Sequence, residues 1–187
     1  MDMRYQIEAG DCLVSPPHCR DPRFKKAVVF MWEHSESGSA GAVINKPTNH
    51  IISDLVVGPT CPDHIGRHTM YWGGPVHTNL VFMLHTLDWR LPRSNIINMS
   101  MGVTSDPDMF EGVGEQQPNE WKVLFGHSSW GPNQLEGELS GKGPWSPEHS
   151  WLILKSPSVD WLFNTPTDVM WDQAVLQCSQ QTIESWL

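Results

Sequence analysis

The sequence predicts an α+β fold in which short strands and short helices follow one another without regular alternation. Its 187 residues suit one domain, taken as residues 1–187. Fifteen glycines and fifteen prolines are spread along the chain and predict many short elements joined by turns. A doubly wound parallel sheet needs strands and helices in strict alternation, so the irregular order favours α+β instead.

The strands are predicted from apolar runs that polar or glycine-rich turns interrupt. Residues 27–32 form a continuous apolar run that is typical of a strand buried on both faces. Residues 41–44 give a second strand, and the small polar residues 33–40 between the two predict a hairpin with a longer loop. Further strands are predicted at residues 80–85, 96–99, 121–125, 151–154 and 161–163.

Three helices are predicted from residues that favour a helix start. Ser105 followed by Asp108 opens a short helix, because a serine cap and an acid three residues later satisfy backbone N–H groups. Residues 132–139 begin with a proline, which is favoured in the first turn. The clearest helix runs from about residue 165 to about residue 178.

Charge and targeting signals limit the function classes. The formal net charge is −9, and a negative field repels phosphate backbones, so we expect no direct binding of nucleic acid. The N-terminal stretch shows no signal peptide, and no apolar run is long enough to cross a membrane. We therefore expect a soluble, cytoplasmic protein without a membrane partner.

No cofactor or metal motif is complete in the sequence. The chain lacks the glycine spacing of a phosphate loop and of a dinucleotide-binding turn, so no cofactor is predicted. The most metal-like stretch combines Cys61 with His64 and His68. Pro62 and Gly66 oppose a regular helix there, and spacing fixes no fourth ligand. An exposed histidine-rich loop is the preferred interpretation, no metal site is assigned, and metal binding by this stretch stays an open alternative.

Tryptophan is over-represented, with ten residues. Each tryptophan buries a large area in a core or an interface, and one small core rarely takes up so many. We expect some of the ten to line a groove or a subunit contact.

Five groups of residues, in one order along the chain, resemble the YqgE/AlgH family. Each group is weak alone, but together they cover most of the chain, which makes the resemblance specific. The groups are residues 10–14 with Pro16, Asp21 and Phe24; His34 with residues 41–47; residues 73–76 with 81–85; residues 126–136; and Trp151, Leu152, Leu162, Phe163, Thr165 and Pro166 with residues 171–176.

The resemblance implies an α+β unit whose split β-sheet curls into a partial barrel with flanking helices. The family has no settled biochemical activity, although one member's name is tied to transcriptional regulation. His127 stands where the family usually has tyrosine, and Asn133 stands where it usually has glycine. Because asparagine adopts positive φ more readily than most residues, we expect the turn at Asn133 to be preserved.

The polar and glycine-rich stretches of this resemblance are expected to meet in one ligand-binding groove. Glycines let a ligand approach main-chain N–H groups, and polar groups at a strand end suit the rim of a binding site. Structural turns are the alternative interpretation of the same stretches. The candidate groove residues are His34, Asn45, Lys46, Pro47, Gly73, Gly74, Pro75, His85, Gly126, His127, Ser128, Trp130 and Gln134.

Three functions are compatible with this sequence, and no specific reaction is assigned. The first is a binding or regulatory module for a small molecule or a protein partner, which the missing nucleophile, metal and cofactor motifs favour. The second is a hydrolase-type enzyme that uses His34, His85 or His127, since imidazole titrates near neutral pH. The third is a transcriptional regulator that acts through a protein partner and not by touching DNA.

Overall fold

Ten strands and five helices make up the part of the chain described by the computed structural model, which is residues 6–55, 62–141 and 151–184. The strands are β1 (Cys12–Val14), β2 (Val28–Ser35), β3 (Gly38–Val43), β4 (Pro47–Ile51), β5 (Thr69–Trp72), β6 (Val76–Thr86), β7 (Asn95–Ile96), β8 (Met101–Thr104), β9 (Trp121–Trp130) and β10 (Leu152–Leu154). The helices are α1 (Asp63–Gly66), α2 (Met109–Glu115), α3 (Gln134–Ser140), α4 (Val159–Asn164) and α5 (Thr167–Glu184).

The strands form one curled sheet in which β9 is the central member. The order is β10-β1-β2-β3-β9-β6-β8-β7, and β5 lies off this path between β4 and β9. The β5–β9 pairing is parallel, whereas the other pairings of the described strands are antiparallel. This mainly antiparallel, curled sheet with helices beside it confirms the expected α+β fold.

The hairpin formed by β2 and β3 is present, but its loop is shorter than predicted. The two strands extend to Ser35 and Gly38, so only Glu36 and Ser37 separate them. Residues 96–99 do not form one strand as predicted, because they contain the turn between β7 and β8. The side-chain oxygen of Asn98 closes that turn by accepting the N–H groups of residues 100 and 101 at 2.9 and 3.0 Å.

The strand predicted at residues 161–163 is wrong, because these residues lie in α4. Ser158 precedes the helix, and its hydroxyl accepts the Trp161 N–H at 3.2 Å. This cap satisfies one of the N–H groups that a helix start leaves unpaired. Leu162 then points into the core, where it is 2% exposed. Local capping therefore outweighs the preference of Trp161 and Phe163 for strands.

Two other helices differ from their predicted limits. α2 begins at Met109, four residues after Ser105. The side chains of Thr104 and Asp106 accept the N–H groups two residues ahead, so residues 105–108 turn the chain and do not form a helix. α5 continues to Glu184, beyond the predicted end near residue 178.

α3 and α5 place their buried residues as helical periodicity requires. α5 buries Met170, Ala174 and Cys178, which are four residues apart, in the core beneath the sheet. Asn133 precedes α3 with φ of 61°, the left-handed conformation expected where asparagine replaces glycine. Within the described residues, no helix has both the length and the apolar character that crossing a bilayer would need.

Candidate functional site

Gly73, Gly74 and Gly126 pack against one another through their main chains. The Gly73 N–H donates to the Phe125 carbonyl at 2.9 Å, and the Gly73 carbonyl accepts from Val43 at 2.8 Å. A Cβ on Gly73 would lie 2.4 Å from the Gly126 carbonyl oxygen, and one on Gly126 would lie 2.4 Å from that of Gly74. The two glycine turns therefore meet, as the groove hypothesis requires, but they fill the space between them.

A cavity of about 340 Å³ opens beside these turns. Four of the candidate groove residues line it, namely Pro75, Ser128, Trp130 and Gln134. The remaining walls come from Asp21, Arg23, Phe24, Val76, Ser129, Glu138 and Trp151. We call this space the tryptophan cavity. Its lining combines three aromatic rings with a buried acid, which makes it a candidate binding site for a small ligand.

Glu138 lies at the centre of the hydrogen-bond network in the tryptophan cavity. One carboxylate oxygen, Oε2, accepts the indole N–H groups of Trp130 at 3.0 Å and Trp151 at 2.8 Å. The other oxygen, Oε1, accepts from Gln134 Nε2 at 3.1 Å. Glu138 is 7% exposed, and no cation of the described residues pairs with it. A carboxylate accepts about four hydrogen bonds, so one acceptor position remains on Oε1.

Three aromatic rings form the wall beside Glu138. Phe24 meets Trp151 edge-on with ring centroids 5.5 Å apart, and Trp130 meets Trp151 edge-on at 6.1 Å. Phe24 also contacts Trp72 at 6.1 Å. Edge-to-face packing of this kind fixes the orientation of each ring. The wall is therefore built before any ligand arrives.

The loop that carries Phe24 is held in place by charged neighbours. Arg23 donates two nitrogens to the Asp21 carboxylate, with Nη2 at 2.7 Å, and this hydrogen-bonded partner raises the pKa of the guanidinium. Lys46 Nζ donates to the Arg23 carbonyl and lies 5.6 Å from the Trp72 ring centroid. Burial lowers the pKa of Lys46. Lys46 therefore positions the loop from behind and does not line the cavity.

Asn45 and Pro47 also act as structural residues. The Asn45 side-chain oxygen accepts from Val28 at 2.9 Å, and its Nδ2 donates to the Lys26 carbonyl at 2.9 Å. Both amide functions are thus used within the fold. Pro47 begins β4 and pairs with Tyr71.

The structure does not bring the candidate histidines together. His34 Nδ1 contacts Ser39 Oγ at 2.8 Å at one end of the β2–β3 hairpin. His127 stacks on His77 at 5.4 Å, and its Nδ1 has no hydrogen-bond partner in the described structure. Since neighbouring residues of a strand point to opposite faces, His127 and Ser128 do not form a nucleophile–base pair.

His85 lies at the far end of β6 from the glycine turns. It lies nine positions after Val76, which corresponds to roughly 30 Å along an extended strand. Its ring is fully buried, its Nδ1 is 3.0 Å from the Thr86 carbonyl, and it packs edge-on against Trp89 at 5.0 Å. Burial lowers the pKa of His85, so the neutral imidazole is favoured. His85 is therefore not part of the tryptophan cavity.

The metal-like stretch is only partly described, because Cys61 lies outside the described residues. His64 Nε2 is 2.9 Å from the side-chain amide nitrogen of Gln117, and the His68 ring packs on Trp121 at 4.5 Å. Among residues 6–55, 62–141 and 151–184, no three His, Cys, Asp or Glu side chains are placed to hold a metal ion.

Sequence reasoning did not select Glu138, Trp151 or the Asp21–Phe24 loop as site residues. A signal for Glu138 is present, because it lies three residues after Leu135 and directly before Leu139, on the buried face of α3. An acid on such a face is seldom buried without a role. The loop and Trp151 come from distant parts of the chain, so local spacing could not place them beside Trp130.

The curled sheet, the interlocked glycines and the adjoining cavity define a class of small α+β protein with a cavity beside its glycine turns. A family model described as AlgH-like matches residues 12–182, so the chain belongs to the AlgH-like family. This match confirms the resemblance drawn from the five groups of residues.

Relatives of the chain bear the family name UPF0301. One, from Pseudoalteromonas translucida, is 31% identical over 169 residues, covering 87% of this chain and 86% of the relative. Another, from Serratia proteamaculans, is 32% identical over 170 residues, with 87% of each chain covered. These names state no reaction, so the chain is a member of a family without an assigned catalytic function.

Two solved structures share the fold. The solution structure of AlgH from Pseudomonas aeruginosa matches with a TM-score of 0.73 and 24% identity, covering 90% of this chain and 87% of that one. A crystal structure of a Corynebacterium diphtheriae protein matches with a TM-score of 0.66 and 17% identity, covering 91% and 86%. At these identities the matches establish the fold alone.

Proposed function

We propose that this protein is a binding module whose tryptophan cavity takes up a positively charged group. The observation that carries the proposal is the Glu138 carboxylate, which is buried, held by neutral N–H donors and not paired with a cation of the described residues. A buried charge without a counter-charge is costly, and a cationic ligand would reduce that cost.

The aromatic wall supports the same ligand chemistry. Aromatic faces attract cations, and Trp130, Trp151 and Phe24 surround the space next to Glu138. A carboxylate together with several aromatic rings is a common arrangement for ammonium recognition. The cavity volume of about 340 Å³ suits a small amine or the end of one lysine or arginine side chain.

A protein partner could supply that side chain, which keeps the regulatory hypothesis within the same site. The net charge of −9 would attract a basic partner and repel DNA. Regulation through a protein partner is therefore part of this proposal, whereas direct contact with DNA is not.

Isothermal titration with choline and with 3,3-dimethyl-1-butanol, its neutral isostere, tests the proposal on the whole chain. We expect choline to bind and the alcohol to bind about tenfold or more weakly, because only the cation gains from Glu138 and the ring faces. A lysine-bearing peptide is the second cationic probe. Equal binding of choline and the alcohol, or binding of neither choline nor the peptide, would overturn the proposal.

A matched pair of glutamates on α3 provides the variants. Glu138→Gln keeps the shape but removes the charge, and we expect it to weaken choline binding about tenfold or more. Glu136→Gln removes a charge from the exposed face of the same helix and should leave binding unchanged. Far-UV circular dichroism establishes that both variants are folded. Equal loss in both would point to a general charge effect and against a site at Glu138.

A further inference from the structure

A second cavity, of about 420 Å³, lies between the α1 region and the first half of β9. It shares no lining residue with the tryptophan cavity. Its polar lining includes His64, Arg67, His68, Tyr71 and Lys122, with the ring of Trp121 beside them. We call it the basic cavity.

The basic cavity concentrates nitrogen donors in a chain of net charge −9. No aspartate or glutamate is among its lining residues. Within the described residues, neither Arg67 nor Lys122 forms an ion pair. Among the described residues, the electrostatic potential inside this space is therefore dominated by an arginine and a lysine that form no ion pair with an acid.

Lys122 is the most unusual member of this group, because it is a lysine only 6% exposed. Its Nζ donates to the carbonyls of Ile44 at 3.2 Å and Leu162 at 3.3 Å, and lies 4.7 Å from the Tyr71 ring centroid. An ammonium group has three N–H donors, so one remains. Burial lowers the pKa of Lys122 to about 8, which still leaves most of it charged at neutral pH.

The histidines of the basic cavity add donors of a second kind. Burial, and then the neighbouring His64, lower the pKa of His68, so its neutral ring is favoured and offers one N–H. Its ring packs on Trp121 with centroids 4.5 Å apart and ring planes tilted by 43°, so the two rings together form an aromatic wall of the cavity. Tyr71 lines the same cavity, and because burial raises the pKa of its hydroxyl, the O–H that can act as a further donor is retained.

We propose that the basic cavity binds a small oxyanion, with Arg67 and Lys122 as counter-charges and the aromatic wall beside it. A phosphate group fits this set, because the forked guanidinium and a point-charged ammonium are the two side chains that bind phosphate best. The volume exceeds that of phosphate alone, so the phosphate group of a small aromatic ester is the matching ligand class. Nothing in the tryptophan cavity is required for this site.

Phosphorus NMR and isothermal titration of the whole chain test the proposal, at constant ionic strength set with sodium chloride. The probes are inorganic phosphate and phenyl phosphate, and we expect saturable binding of at least one at about millimolar or lower concentration. Tighter binding of phenyl phosphate than of inorganic phosphate would show that the aromatic wall contacts the ligand. Equal binding of the two probes would show that the site recognises only the phosphate group. In either case, the proton NMR signals of the His64 and His68 rings should shift on titration, and those of the His50 ring should not.

Arg67→Gln is the main variant, because Arg67 is exposed and its replacement should not affect folding. We expect it to weaken phosphate binding about tenfold, since a charge-assisted bidentate contact is lost. Arg93→Gln, at an exposed position outside the cavity, should bind as the unmodified chain does. No saturable binding of either probe, or equal weakening in both variants, would overturn the proposal. Binding of zinc without binding of phosphate would overturn it in favour of a metal site.

Discussion

Gly126 occupies a position where two separate constraints exclude a side chain. Its φ of +66° is disfavoured for other residues, and a Cβ would lie 2.4 Å from the Gly74 carbonyl oxygen. Gly141 has nearly the same φ, +62°, but nothing lies within 4 Å of its Cβ position. A side chain at Gly141 would therefore meet only the cost of the backbone conformation, whereas one at Gly126 would meet that cost and the cost of crowding as well.

Alanine at these two positions gives a residue-scale prediction. We expect Gly141→Ala to lower the free energy of unfolding by about 1 kcal/mol, which is the cost of left-handed backbone alone. Gly126→Ala should lower it by about 2 kcal/mol more, because the carbonyl it meets is backbone and cannot move aside easily. Urea denaturation monitored by circular dichroism measures both. Equal costs would mean that the glycine turns are not interlocked as described.

Lys122 gives a second residue-scale prediction, concerning pH. Its pKa is about 8 in the folded chain and near 10.5 when unfolded, so between these values only the unfolded chain holds the proton. Stability rises with pH wherever the unfolded state binds more protons. Relative to Lys122→Met, the unmodified chain should therefore gain stability from pH 8 to 10.5, by at most roughly 3 kcal/mol.

The comparison with Lys122→Met isolates this lysine from other groups that titrate in the same range. Cys19 and Tyr71 have pKa values raised by burial, and both are present in either protein. Urea denaturation at several pH values, in phosphate-free buffer, gives the difference directly. A difference between Lys122→Met and the unmodified chain that stays constant across this pH range would show that burial does not lower the pKa of the Lys122 amine.

At the scale of elements, the sequence predicts the strands and helices that depend on local signals. It does not predict features that depend on pairing between distant strands. The β2–β3 hairpin and α3 follow from their apolar runs and helix-start residues. β9 is twice its predicted length, since Gly126 lets the strand continue past residue 125 and pair with β3. The sequence of residues 121–130 contains no signal that β9 pairs with β5 at residues 124–125 and with β3 at residues 128–130.

The helix α4 shows how two local signals can compete within one element. Trp161 and Phe163 favour a strand, whereas Ser158 and the first-turn acid Asp160 favour a helix. The helix forms because the cap and the burial of Leu162 agree with each other. The candidate site also combines local and tertiary signals. The family motifs contain Trp130, Gln134 and Phe24, but only the fold shows that the loop carrying Phe24 lies at the same cavity as the other two.

For the whole molecule, β9 is the element that joins every part of the core. Its Val123, Leu124 and Trp130 belong to three different clusters of buried apolar residues. The basic cavity lies at the beginning of the strand and the tryptophan cavity near its end. The two proposed sites therefore rest on one strand, while the residues that line them are separate.

This arrangement predicts that the chain unfolds in one cooperative step. Because β9 contributes to all three clusters, loss of one cluster removes packing from the other two. Urea transitions measured by tryptophan fluorescence and by far-UV circular dichroism should therefore coincide. Leu124→Ala, at a fully buried position, should lower the free energy of unfolding by about 2–5 kcal/mol and shift both transitions equally. Separate midpoints, or a shift in only one signal, would show that residues 1–187 are not one folding unit.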